Sequence, residues 1–174
     1  GTLNIENSAI TAKTMGVQVC AGSLNISGDS VINVTGDPVE KTENDGAIQD
    51  GAAVSVVNRP GYKGLGKVTI TGGTFKSAKG EALKAYKWEN KEESAFDLSV
   101  IAVSGGTFSS EVPADYCAAG YAPKANNDGT YGVEPKVTTE KRNLSVDING
   151  AGKVEYSING SDSGIWSNSI TKVP

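Results

Sequence analysis

The sequence has no histidine, and its 174 residues include only two cysteines, one methionine, two tryptophans and three phenylalanines. Each shortage excludes something. Without histidine, the usual general base and the commonest metal-ligating side chain are missing. Cys20 and Cys117 are too few for a disulfide framework and form no CxxC pair. They read as small, inert core or corner residues. No apolar run approaches the ~20 residues of a bilayer span, so no membrane span is expected. The net charge of −4 leaves no basic excess for nucleic acid or an anionic membrane face.

What is present points to strands and turns. Glycine is plentiful, at 22 residues, and Asn, Asp, Ser and Thr are frequent, as in an all-β chain with many corners. Apolar residues make up 37% of the chain, enough to bury a core. The chain is organised around a phrase that occurs twice, Val68-Thr69-Ile70-Thr71-Gly72-Gly73-Thr74-Phe75 and Ile101-Ala102-Val103-Ser104-Gly105-Gly106-Thr107-Phe108. In each copy an alternating strand runs into a Gly-Gly corner and restarts on Thr-Phe.

Earlier in the chain, apolar pairs return at every seventh position: Leu3 and Ile5, Ile10 and Ala12, Val17 and Val19, then Leu24 and Ile26. Each pair has a period of two and marks a short half-buried strand. Three such strands per repeat describe one triangular coil, and coils stack because one alone cannot bury its inner face. First-side strands are expected at 2–6, 23–27, 67–71 and 100–104. Leu3, Leu24, Val68 and Ile101 should form one inner ladder, and Ile5, Ile26, Ile70 and Val103 the next. Just past the first corner, Ile10, Val31, Phe75 and Phe108 should share a buried position. On the third side, Gly51-Ala52-Ala53-Val54-Ser55-Val56 aligns with Gly80-Glu81-Ala82-Leu83-Lys84-Ala85, and Met15–Val19 is a looser counterpart. An ordinary β-sandwich would not keep one register across three sides.

The expected fold is all-β: a short right-handed parallel β-helix, or solenoid, with a C-terminal cap and a small β tail. Its handedness follows the crossover preference of parallel strands. Residues 1–135 make the coil and its cap, the cap spanning about 109–135, and 136–174 a β-hairpin or meander. Acidic and charged insertions, 36–50 and 86–97, should project from corners, where functional loops of solenoids fall. The chain opens on a strand at Gly1, which fits a segment cut from a longer solenoid. Cys20 and Cys117 should lie at opposite ends of the coil, too far apart for a disulfide.

The stretch VSGGTFSSEVPADYCAAGYAPKANNDGTYGVEP, residues 103–135, resembles the cap of repeat-built β-helix segments in large surface proteins of gut Firmicutes. The matching residues are Gly105, Gly106, Thr107, Phe108, Pro113, Tyr116, Cys117, Gly120, Tyr121, Asp128, Gly129, Thr130, Tyr131 and Val133. The phrase VEYSINGSDSGIWSNSI is similar to the opening strands of immunoglobulin-like modules in such proteins, here truncated, since a full module needs ~100 residues. The resemblance implies an extracellular or cell-wall-associated scaffold or adhesin-like module, with glycan or a host or cell-surface protein as partner. It implies no catalytic residues and no cofactor.

A carbohydrate-active β-helix domain, of glycoside hydrolase or polysaccharide lyase type, is the alternative. Hydrolysis wants two carboxylates held across the substrate, yet the outward ladder of Glu6, Ser27, Thr71 and Ser104 carries one. The other acids cluster in loops, so no enzyme is expected. Asp37, Glu43, Asp45 and Asp50 offer hard oxygen ligands, but their spacing fits neither an EF-hand nor the calcium nonapeptide repeat, and no metal site is expected. The candidate ligand-binding residues are Tyr62, Tyr86 and Trp88, whose rings suit stacking on sugars. The competing role for these rings is packing over the outside of the coil or against the cap.

Overall fold

Segments with an apolar residue at every second position become short strands, some of them ended by glycine or asparagine, as at Asn7, Gly28 and Asn126. The computed structural model describes residues 1–39, 49–59, 61–62, 64–88 and 97–137. The expected tail, apart from its first two residues, and parts of both charged insertions lie outside them. The strands are β1 (Thr2–Glu6), β2 (Ala9–Ala12), β3 (Val17–Val19), β4 (Gly22–Ser27), β5 (Val31–Val34), β6 (Val54–Asn58), β7 (Leu65–Ile70), β8 (Thr74–Ser77), β9 (Leu83–Lys87), β10 (Ile101–Val103), β11 (Thr107–Phe108), β12 (Tyr121–Ala125) and β13 (Tyr131–Pro135). Among the described residues, no helix is long and apolar enough to cross a membrane.

The chain visits three sheets in turn. The first has the order β1-β4-β7-β10 and the third β3-β6-β9, and every pairing in both is parallel. The second runs β2-β5-β8-β11 in parallel and continues antiparallel into β13 and β12. Leu3, Leu24, Val68 and Ile101 are register neighbours in the first sheet, as are Ile5, Ile26, Ile70 and Val103. Val54 pairs with Leu83, and Val56 with Ala85, in the third. Side chains from all three sheets, among them Leu24, Ile70, Phe75, Phe108, Val54 and Leu83, meet in one core cluster. Leu3 keeps its register but is 54% exposed, because β1 is an edge strand with a neighbour on one side only.

One expected position is corrected. Ile32, not Val31, stands in register with Ile10 and Phe75. Ile32 is fully buried, whereas Val31 is 37% exposed. The corner between β4 and β5 holds one residue more than its counterparts, and the slip turns Val31 outward, as a one-residue shift in a strand must. Ser30 occupies the enlarged corner and is itself buried, with its hydroxyl donating to the Ser27 carbonyl at 2.8 Å. The Gly-Gly corners follow from backbone geometry. Gly73 and Gly106 have φ of 105° and 106°, a region nearly closed to other residues. A Cβ on Gly105 would run into the Thr71 carbonyl.

Beyond β11 the pattern changes. A 3-10 turn at Ala114–Tyr116 buries Tyr116, and Cys117 forms a bridge beside Val103. Gly129, with a φ of 81°, and Asp128 make the turn of the β12–β13 hairpin, in which the Asp128 carboxylate accepts from Thr130 N at 3.0 Å. Tyr131 of β13 lies opposite Phe108, so the hairpin covers the edge of β11. Pro123 sits on the outermost strand, where a missing N–H costs no ladder bond. Cys117 borders β10, the last strand of the first sheet, and Cys20 follows β3, the first of the third; both are unbridged.

Candidate functional site

Along β6 and β9 the pleat sends Val54, Val56, Leu83 and Ala85 into the core, so Ser55, Val57, Lys84 and Tyr86 face the other way. The same alternation carries past the strand ends to Arg59 and Trp88. Val57 pairs with Tyr86 in the sheet, and Trp88 N donates to the Asn58 carbonyl at 3.1 Å. Val57 and Tyr86 form a second apolar cluster, with Cys20 and Trp88 packed against it.

A carboxylate lies under this cluster. Asp50 Oδ1 accepts from Ala52 N at 3.0 Å, and the Ser55 hydroxyl lies 2.9 Å from Oδ1 and 2.7 Å from Oδ2. The Tyr86 hydroxyl donates to Oδ2 at 2.9 Å. Ser55 is fully buried, so its polar group needs this partner. These bonds fix the end of the acidic insertion onto the third sheet.

Beside it, Arg59 lies over two aromatic rings. The Arg59 guanidinium lies 4.5 Å from the centre of the Trp88 ring and 5.4 Å from that of Tyr62. Tyr62 is brought there by the turn after β6, where its N–H donates to the Arg59 carbonyl at 3.3 Å. A planar guanidinium stacks on aromatic faces while its rim keeps N–H groups for hydrogen bonding.

The three expected rings therefore have different roles. Tyr62 is 49% exposed and Trp88 half-buried, and Arg59 joins them. Tyr86, at 2% exposure, cannot offer its face to a ligand; it is a buried support whose hydroxyl is held by Asp50. Asp50, expected among solvated loop acids, spends its oxygens on Ser55, Ala52 and Tyr86, while Glu43 and Asp45 lie outside the described residues. Arg59 and Ser55 were not singled out by sequence reasoning. The signal was the strand alternation itself, which puts positions 55, 57 and 59 on the face of 84, 86 and 88.

Tyr86 carries a pH signature. Burial first, then the charge of Asp50 and the hydrogen bond to it, push its phenol well above the ordinary value of about 10. The unfolded chain ionises this group near that ordinary value, and the folded chain only at higher pH. Its contribution to stability is thus complete below about pH 10 and is lost as pH rises toward the folded value. Urea midpoints are expected to fall on the alkaline side, with a shallower fall in Tyr86→Phe. Phenolate absorbance should include one late-titrating tyrosine that the same substitution removes. Equal alkaline slopes in the two proteins would contradict the assignment.

No protein-family model, no curated protein and no solved structure matches this chain.

Proposed function

We propose that the chain is a non-enzymatic surface module, a scaffold or adhesin-like coil that binds glycan or protein through the patch formed by Arg59, Tyr62 and Trp88. The observation that carries this reading is the guanidinium lying over both an exposed tyrosine and a tryptophan at one end of the third sheet. Tyr62 supplies an apolar face for the C–H side of a sugar ring or for an apolar side chain. Arg59 adds a positive charge beside the rings, and the cluster over Asp50 keeps the rings in place.

The architecture proposed for the module is a right-handed parallel β-helix. It is supported by strands that recur in the order first, second and third sheet, by in-register parallel pairing and by a core common to all three sheets. The extracellular or wall-associated setting rests on the likeness of the Gly-Gly-Thr-Phe phrases and the cap to segments of surface proteins.

A glycan array with wild type, Trp88→Ala and Tyr62→Ala tests the patch, run beside a turnover assay on pectic and host glycans. Binding is expected in wild type, with a roughly tenfold or greater loss in Trp88→Ala, the size of effect found for buried interface aromatics. Release of reducing or unsaturated ends, abolished by one carboxylate substitution, would replace this reading with the carbohydrate-active one.

A further inference from the structure

A groove lined by residues of the second sheet has no lining residue in common with the arginine–aromatic patch. It has a volume of about 660 Å³, and Asn33, Thr74, Lys76, Thr107, Ser109 and Thr130 are among its lining residues. We infer that this groove on the outer face of the second sheet binds an acidic sugar chain, laid across the strands with a carboxylate on Lys76.

The register makes the argument. Asn33 pairs with Lys76, beside the pairs Thr74–Thr107 and Phe75–Phe108. Ser109, just past β11, follows on, its N–H donating to the Phe75 carbonyl and its hydroxyl accepting from Ser77 N. Parallel strands lie ~4.8 Å apart, so a chain crossing them meets one polar side chain at each step. A pyranose unit has a length of the same order. Asn33 and Lys76 bring N–H donors, and Thr74 and Thr107 bring hydroxyls and methyls, which suits the mixed polar and C–H surface of a sugar. The column stands on a fixed floor: Phe75 and Phe108 stack beneath it at 4.7 Å between ring centres and are buried.

Charge selects the class of sugar. Among the described residues lining the groove, Lys76 carries the only charge, although the whole chain has a net charge of −4. Asp128, next to the end closed by Thr130, is engaged by the Thr130 N–H and hydroxyl. A carboxylated unit therefore finds a cation at the centre of the column and no acid on the lining, whereas a neutral unit gains from Lys76 a hydrogen bond without the charge attraction.

Calorimetric titration with a short oligogalacturonate and with a neutral oligogalactan tests the site. Wild type is expected to bind the acidic oligomer more tightly than the neutral one, and less tightly as salt is raised. Lys76→Gln should weaken the acidic oligomer about fivefold, the upper range for an exposed ion pair, and Lys76→Glu by more. Lys76 is exposed, so both variants should melt as wild type does. In a Trp88→Ala background the loss caused by Lys76→Gln should be the same as in wild type, which separates the groove from the patch proposed above. Equal affinity for the two oligomers, an unaffected Lys76→Glu or no binding by wild type would each overturn the inference.

Discussion

Phe108→Ala is expected to lower stability by about 3–5 kcal/mol, the usual cost of removing a buried phenylalanine ring. Phe108 is 1% exposed and stacks on Phe75 with their planes 13° apart. It is also the point where parallel pairing gives way to the antiparallel hairpin, since Phe108 faces Phe75 on one side and Tyr131 on the other. Its loss removes a piece of core and loosens the cover on the last strand together. Urea unfolding followed by circular dichroism would measure it. An unchanged midpoint would mean that the ring contributes nothing to the core and that the register is wrong.

The second large effect is expected at Asp50. Asp50→Ala strands the buried Ser55 hydroxyl and the Tyr86 hydroxyl without an acceptor. Leaving such groups unpaired costs about 1–3 kcal/mol each, against about 1 kcal/mol for removing a hydrogen bond cleanly. Asp50→Ala is therefore expected to destabilise by about 2–4 kcal/mol, more than Ser55→Ala or Tyr86→Phe alone. In a background with both donors already removed, Asp50→Ala should cost much less. Equal costs in the two backgrounds would show that the carboxylate does not act through these bonds. Glycan binding at the patch should weaken in parallel if the network holds Trp88 in place.

Much of the fold was legible because strand periodicity and corner chemistry agreed. Leu24, Ile26, Val68 and Ile70 could be assigned to ladders from spacing alone, and the structure pairs them so. Asn127-Asp128-Gly129 is a tight-turn sequence, and it stands in the turn between β12 and β13. Val31 was misplaced because a single extra residue at a corner leaves the apolar pattern plausible in either register. Val31 and Ile32 are both apolar and β-branched, so only the partner strands decide between them. The site was less legible for a different reason. Tyr86 and Trp88 occupy the same face two residues apart, yet Tyr86 is buried beside Val57 with its hydroxyl on the Asp50 carboxylate, which arrives from a distant loop, while Trp88 is partly open. No local pattern announces that contact. The pairing of Arg59 with Trp88 likewise depends on two adjacent strands ending level with each other.

The successive partners Leu3, Leu24, Val68 and Ile101 are unequally spaced along the chain, yet each stands opposite the next. The sheets are thus blind to how much polypeptide separates one strand from the next. Lengthening a closed loop adds only a slowly growing entropic cost, so corners can gain or lose whole segments while the ladders stay put. Loop cassettes could therefore be exchanged without redesigning the interior.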